Sequence, residues 1–340
     1  MSATTDTLRE LPARLAPLVG TTGFRCLRLQ GYARDSHAPL DAVYLGTGAN
    51  AAFLREYFFA WIEDEILIGD GAATFVGRAQ RRAWQAADLQ LSDVPPLWSR
   101  LPAGKADVRI PAWVRQELKL GAMKDIHRWP LPGRTAREAE RQIRQHDYSL
   151  ALTRNLSDIE EFFHRFYEPY IRARFGPDGI VVSRSTFLNR CRGQTLAHLR
   201  QGGQPVAGMM LFGSGRTLRL GWYGAAQVPP PPGASEALDA LVIRHAWLNE
   251  VRHLSFGNTR PCLSDGVFRY KARFGAAAVG TRFPQAALGI TAPHGHPAVM
   301  HALATQPLIT PLQHHMGVYR VVPGSGGGAQ LRLERYAQRA

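Results

Sequence analysis

Residues Glu250 to Ala276 read EVRHLSFGNTRPCLSDGVFRYKARFGA, a short apolar strand running through a polar loop into a basic, aromatic helix. His253 to Gly257 has the length and flanks of a buried strand, with Gly257 as the breaker that ends it. Asn258, Thr259 and Arg260 then stand where an open sheet gives way to a cleft, the usual place for a ligand in α/β folds. After Pro261, Asp265-Gly266 reads as a turn or N-cap for a helix carrying Phe268, Tyr270, Lys271 and Phe274, closed by Gly275. Lys271 is one of only four lysines among 41 basic residues. A lysine kept in this corner matters, because an ammonium and a guanidinium differ in hydration, geometry and ability to lose a proton.

Working outward, the chain before this stretch holds a helix over Ser157–Arg174, with Ser157 and Glu160 forming a capping box and Ile159, Phe162, Phe163, Phe166 and Tyr170 an apolar stripe. A second helix covers Ser185–Arg192. Three strands follow, Thr195–Arg200, Pro205–Phe212 and Thr217–Tyr223, separated by glycine-rich turns. Ser235 caps a helix running to Glu250, which leads into the strand at His253. The order is α, α, β, β, β, α, β.

That order, together with FGNTRPCLSDGVFRYKARFGA and the helix end FYEPYIRARFG (residues 166–176), resembles the GNAT acyltransferase superfamily and, within it, FemAB-like transferases, over about Thr135 to Thr281. The resemblance implies an α/β (α+β) fold of two GNAT-like lobes, each a mixed, mostly antiparallel sheet flanked by helices, with a divergent N-terminal lobe. The corresponding division is 1–130 for the divergent lobe, 131–290 for the transferase lobe and 291–340 for an extension with a flexible, glycine-rich basic tail. The implied activity moves an acyl or aminoacyl group from acyl-CoA or aminoacyl-tRNA to an amine, in cell-envelope or exopolysaccharide synthesis. The loop that cradles the CoA pyrophosphate in ordinary GNAT enzymes is replaced by AQVPPPPG at residues 226–233, which leaves the donor open.

Amine acylation requires two oriented substrates, removal of an ammonium proton and stabilisation of an oxyanion. Lys271 and Arg260 are assigned anion binding and charge stabilisation, and Asp265 is placed to orient Lys271 or accept a proton. Asn258 and Tyr270 flank them, Tyr170, Arg172 and Arg174 line the same cleft, and Trp222 and Tyr223 form its wall. For Asp265 the competing role is a turn cap, and for Tyr170 and Trp222 it is core packing.

At 340 residues two domains are expected, and 45% hydrophobic residues suffice for ordinary cores. The net charge of +14 suits an anionic small-molecule or tRNA-linked substrate, and a basic face can rest on anionic lipid. The charge is spread without lysine-rich runs, which argues against dedicated DNA binding. Cys26, Cys191 and Cys262 are too few and too scattered for a disulfide framework, and the paired histidines, His294/His296 and His314/His315, lack metal-site spacing. No signal-peptide core or membrane-length apolar run occurs, so a cytoplasmic location is expected, with oligomeric state open.

Two other classes compete. Ala42 to Ala52, AVYLGTGANAA, places GxGxxA between a strand and the helix Asn50–Trp61, the context of a dinucleotide or S-adenosylmethionine loop, with Asp70 spaced for a ribose contact. A non-catalytic scaffold within a biosynthetic complex is the other; an empty cleft without a positive pocket around Lys271 would favour it, and a deep, basic, two-mouthed cleft would favour the enzyme.

Overall fold

The computed structural model describes residues 24–48, 50–70, 78–94, 106–121, 130–176, 181–213, 215–280, 287–293, 295–312, 315–323 and 329–337. In chain order the first elements are β1 (Arg25–Ala33), β2 (Pro39–Gly46), α1 (Ala51–Phe58), β3 (Phe59–Asp70), α2 (Arg78–Ala86), β4 (Leu89–Val94), β5 (Val108–Pro111), β6 (Val114–Lys119), α3 (Gly133–Gln145) and β7 (Tyr148–Thr153). Next come α4 (Leu156–Phe162), a π turn (Phe163–Tyr167), α5 (Glu168–Phe175), α6 (Arg184–Cys191), β8 (Thr195–Gln201), β9 (Gln204–Phe212), β10 (Thr217–Ala225), α7 (Ala234–Leu248) and β11 (His253–Thr259). The chain closes with α8 (Gly266–Arg273), β12 (Ala277–Val279), β13 (Ala287–Thr291), α9 (Pro297–Thr305), β14 (Ile309–Pro311), β15 (Met316–Pro323) and β16 (Ala329–Arg335).

Contacts divide the chain into two units: residues 1–114, 259–268 and 279–337 form one, residues 115–258, 269–278 and 338–340 the other. Each unit is built on a mixed, mostly antiparallel sheet flanked by helices. The first unit's sheet has the order β3-β1-β2-β4-β13-β5, with a separate three-stranded sheet β14-β15-β16. A single cut near residue 130 does not describe this division, because β13, well after residue 130, inserts antiparallel between β4 and β5. Nor is the basic tail a loose appendage throughout: Leu331 and Leu333 alternate with charged residues, and the segment pairs with β15 as β16. Residues 324–328 lie outside the described residues.

In the first unit the helix expected over Asn50–Trp61 stops at Phe58, and the following twelve residues form β3. Cross-strand packing explains the switch, since Trp61 stands opposite Tyr32 on β1 and stacks on it with ring centroids 4.6 Å apart. The same switch removes the βαβ unit that a dinucleotide loop needs: β3 runs antiparallel to β1 at the sheet edge.

The second unit's sheet has the order β12-β6-β11-β10-β9-β8-β7, where β7 through β10 form an antiparallel meander and β11 runs parallel to β10. The long helix buries Ile159, Phe162, Phe163, Phe166 and Tyr170 as the stripe requires, and Tyr167 beside them. Its cap is Asn155 rather than Ser157, with the Asn155 side chain accepting from Ser157 N at 3.2 Å, while Glu160 leaves the cap to pair with Arg184. Ser235 does not cap α7; Gly233 occupies that position and Ser235 Oγ donates to Tyr223 Oη at 3.0 Å. No described helix is long and apolar enough to cross a membrane.

Candidate functional site

The second unit opens where the parallel pairing of β10 with β11 ends. β10 and β11 are in register at Thr217↔His253, Leu218↔Leu254 and Arg219↔Ser255, and no further. On the other side of β10, Leu220 faces Leu211 and Tyr223 faces Met209, so Gly221 and Trp222 together oppose Met210. This is a β-bulge, which bends the strand and releases backbone groups from the ladder. Gly257 on β11 has φ 74°, a left-handed conformation that suits glycine and turns β11 aside instead of ending it. Between the diverging strands lies a cavity of about 530 Å³ lined by Arg190, Phe212, Arg219, Trp222, Phe256 and Asn258, among others.

Two guanidiniums share this cavity, and neither Arg190 nor Arg219 forms an ion pair among the described residues. Arg219 lies over the Phe212 ring at 4.3 Å, and burial, reinforced by Arg190, lowers its pKa. An anion would relieve both the repulsion and the desolvation. Phe212, Trp222 and Phe256 supply apolar walls, so the cavity suits an anionic molecule with an apolar arm.

Beside it, Lys271 Nζ donates to the backbone carbonyl of Asn258 at 2.9 Å and so holds the β11 end of the cavity in place. Tyr270 Oη, one residue earlier on α8, donates to Asp239 Oδ2 on α7 at 2.6 Å. Tyr223 and Tyr170 meet edge to face at 5.2 Å, and Arg174 bonds the Tyr170 hydroxyl. Burial pushes the Tyr223 and Tyr270 pKa values up, so both hydroxyls stay protonated. Arg172 does not belong to this group; it is exposed and pairs with Glu168 one turn back at 2.7 Å. Of the residues expected to form one cleft, Trp222 and Asn258 line the cavity, while Tyr170, Tyr223 and Tyr270 pack into a neighbouring cluster. Between β10 and α7, the Ala234 amide donates to Pro231 O at 3.0 Å and Tyr148 Oη donates to Pro232 O at 2.9 Å, so the loop over residues 226–233 is pinned.

Arg260 and Asp265 fall in the first unit. Arg260 Nη1 donates to Asn50 Oδ1 at 2.8 Å and Ala112 O at 3.2 Å. Asp265 Oδ1 accepts from Phe268 N at 2.7 Å, so it caps α8. The Gly46–Ala51 loop is closed on an acidic side chain: buried Asp93 accepts from Asn50 N at 3.1 Å, Asn50 Nδ2 at 3.2 Å, Thr47 Oγ1 at 3.2 Å and Tyr44 Oη at 3.1 Å. A carboxylate thus stands where a nucleotide phosphate would have to bind, which disfavours the dinucleotide reading. Among the described residues no cluster of three His, Cys, Asp or Glu is placed to hold a metal; His294 and His314 lie outside them. All three cysteines are buried free thiols, with Cys26 pushed up to about 11 and Cys191 to about 12 by burial.

No family model matches the chain, and no curated protein does. Solved structures similar to it include FemX, at 9% identity over 78% of this chain and 88% of that one with a TM-score of 0.40. L-PGS from Bacillus licheniformis is similar at 11% identity over 81% and 88%, TM-score 0.38. A GCN5-related N-acetyltransferase from Kribbella flavida is similar at 13% identity over 87% and 99%, TM-score 0.28.

Asp239 is the site residue that sequence reasoning passed over. Its only signal is a lone acid on the inner side of ASEALDALVIRHAWL, the apolar helix α7. It is buried, its Oδ1 has no hydrogen-bond partner among the described residues, and burial raises its pKa to about 7 despite Tyr270 and Lys271, which act the other way. The folded protein therefore holds a proton that the unfolded chain releases above its ordinary value of 3.8. Stability should fall as pH rises from about 4 to about 7, by on the order of 4 kcal/mol, and level off above. Asp239→Asn, a permanent mimic of the neutral acid, should flatten this slope and be more stable than wild type at pH 8 but not at pH 4; urea midpoints across the range check it.

Proposed function

We propose that the second unit is an acyltransferase that holds an activated acyl donor in the cavity between β10 and β11 and passes the acyl group to an amine. The observation that carries this reading is the divergence of those strands after Arg219↔Ser255 around two arginines that form no ion pair among the described residues. The donor class that fits is a thioester or ester on an anionic carrier, acyl-CoA or aminoacyl-tRNA, with its phosphates toward Arg190 and Arg219 and its acyl arm against Trp222 and Phe256. Backbone groups released at the Gly221-Trp222 bulge supply donors for the developing oxyanion. The amine, after its ammonium proton has passed to solvent, adds to the acyl carbon as the C=O electron pair moves onto oxygen. The oxyanion then collapses, the carrier leaves with the electron pair of its bond to the acyl carbon, and the nitrogen gives up its extra proton to solvent or the leaving carrier. Lys271 acts by position, through Asn258, and its charge helps draw the carrier. The basic cavity favours this reading over a scaffold without chemistry. Cell-envelope or exopolysaccharide synthesis is the setting that the sequence resemblance suggests.

The test is label transfer from acyl-CoA or aminoacyl-tRNA to a panel of amines. The wild-type protein should transfer from one donor class, and Lys271→Met should cut turnover at least tenfold with unfolding midpoints unchanged. Full turnover in that variant would remove Lys271 from the mechanism, and no transfer from either donor would overturn the acyltransferase reading.

A further inference from the structure

The first unit contains a second cavity, of about 400 Å³, that the transfer chemistry does not use. Its lining includes Arg34, Phe53, Glu56, Tyr57, Arg260 and Asp265. Arg260 is fixed rather than mobile: its guanidinium lies 3.8 Å from the Trp113 ring centroid and 4.8 Å from that of Phe53. Nη1 is held by Asn50 and Ala112, and Asn50 is held in turn by Asp93. A planar cation immobilised this way presents its remaining N–H groups at little further entropic cost, the geometry that recognises a carboxylate.

Acids share the same cavity. Asp265 gives Oδ1 to the cap of α8, and the Glu56 side chain has no hydrogen bond to the described residues; neither acid forms an ion pair there. Arg34 is spent on the backbone carbonyl of Glu56. Positive and negative groups therefore line one cavity without forming an ion pair among the described residues, and Glu56, Asp93 and Asp265 act on Arg260 only through space. A ligand carrying both charges a few ångströms apart completes both, where a simple anion or cation leaves one set uncompensated.

We propose that this cavity binds a small zwitterion, a free α-amino acid, with its carboxylate on Arg260, its ammonium toward Glu56 and Asp265, and its side chain against Phe53 and Tyr57. The assignment stands apart from transfer in the second unit, since binding alone is measured. Calorimetric titration of the full chain with L-phenylalanine, 3-phenylpropanoate and 2-phenylethylamine tests it. The amino acid should bind at least tenfold more tightly than either one-charge analogue. In Glu56→Gln/Asp265→Asn, where asparagine keeps the helix cap, that preference should vanish while 3-phenylpropanoate binds as before. Equal binding of the amine or of the acid, an unchanged preference in the double variant, or no binding of L-phenylalanine would each overturn the proposal.

Discussion

Replacing Arg190 and Arg219 together by methionine is expected to weaken binding of the anionic acyl donor at least a hundredfold while leaving the fold as stable as before. Each hydrogen bond from a guanidinium to a phosphate contributes about 1.5–3 kcal/mol, so losing two removes about 3–6 kcal/mol, and 1.4 kcal/mol is a factor of ten. Stability should not follow affinity down. Arg219 sits half-desolvated beside a like charge, and burial lowers its pKa; methionine keeps contact with the Phe212 ring while removing that repulsion. Donor titration and urea unfolding on the same variant separate the two effects. A variant that binds the donor normally would remove the arginines from the site, and one that unfolds would show that they hold the sheet together.

The second large effect concerns packing. A Cβ on Gly224 would fall 2.6 Å from the Phe166 carbonyl carbon and 2.7 Å from both N and Cα of Tyr167, all backbone atoms of the π turn. Backbone cannot move aside as a flexible side chain can, so β10 and the π turn touch only because residue 224 has no side chain. Gly224→Val should cost about 3 kcal/mol or more, measured as a fall in the urea midpoint. It should also weaken donor binding, because the same strand carries the bulge at Gly221 and Trp222. A cost below about 0.5 kcal/mol, the range of a neutral surface change, would mean that the turn packs elsewhere.

Much of the second sheet is legible because its signals are local. Gly202-Gly203 marks a tight hairpin, the meander alternates, and α7 separates β10 from a parallel β11, so the order follows from turns and periods alone. The first unit is less legible because its signals are tertiary. Asn50 to Trp61 has helical spacing throughout, yet pairing with β1 claims everything from Phe59 onward. The return of β13 into the first sheet leaves no mark in its own five residues.

The site divides along the same line. Lys271 and Tyr270 stand in a visible motif, but their partners, Asn258 O and Asp239, are matters of geometry. Arg260 and Asp265 lie within the same quoted stretch as Lys271 and still belong to the other unit, because the chain passes from β11 into the first unit at Thr259 and leaves it after Phe268. Arg190 and Arg219 are two among 37 arginines, and only the diverging strands single them out.

The most direct test of the donor site is hydrogen–deuterium exchange of the full chain with and without saturating donor, acyl-CoA and aminoacyl-tRNA being tried in turn. Protection is expected over residues 218–224 of β10 and 254–259 of β11, with little change in β1 to β4. Donor binding that protects only residues 42–52 or another surface, with β10 and β11 unchanged, would contradict the assignment of the cavity between those strands.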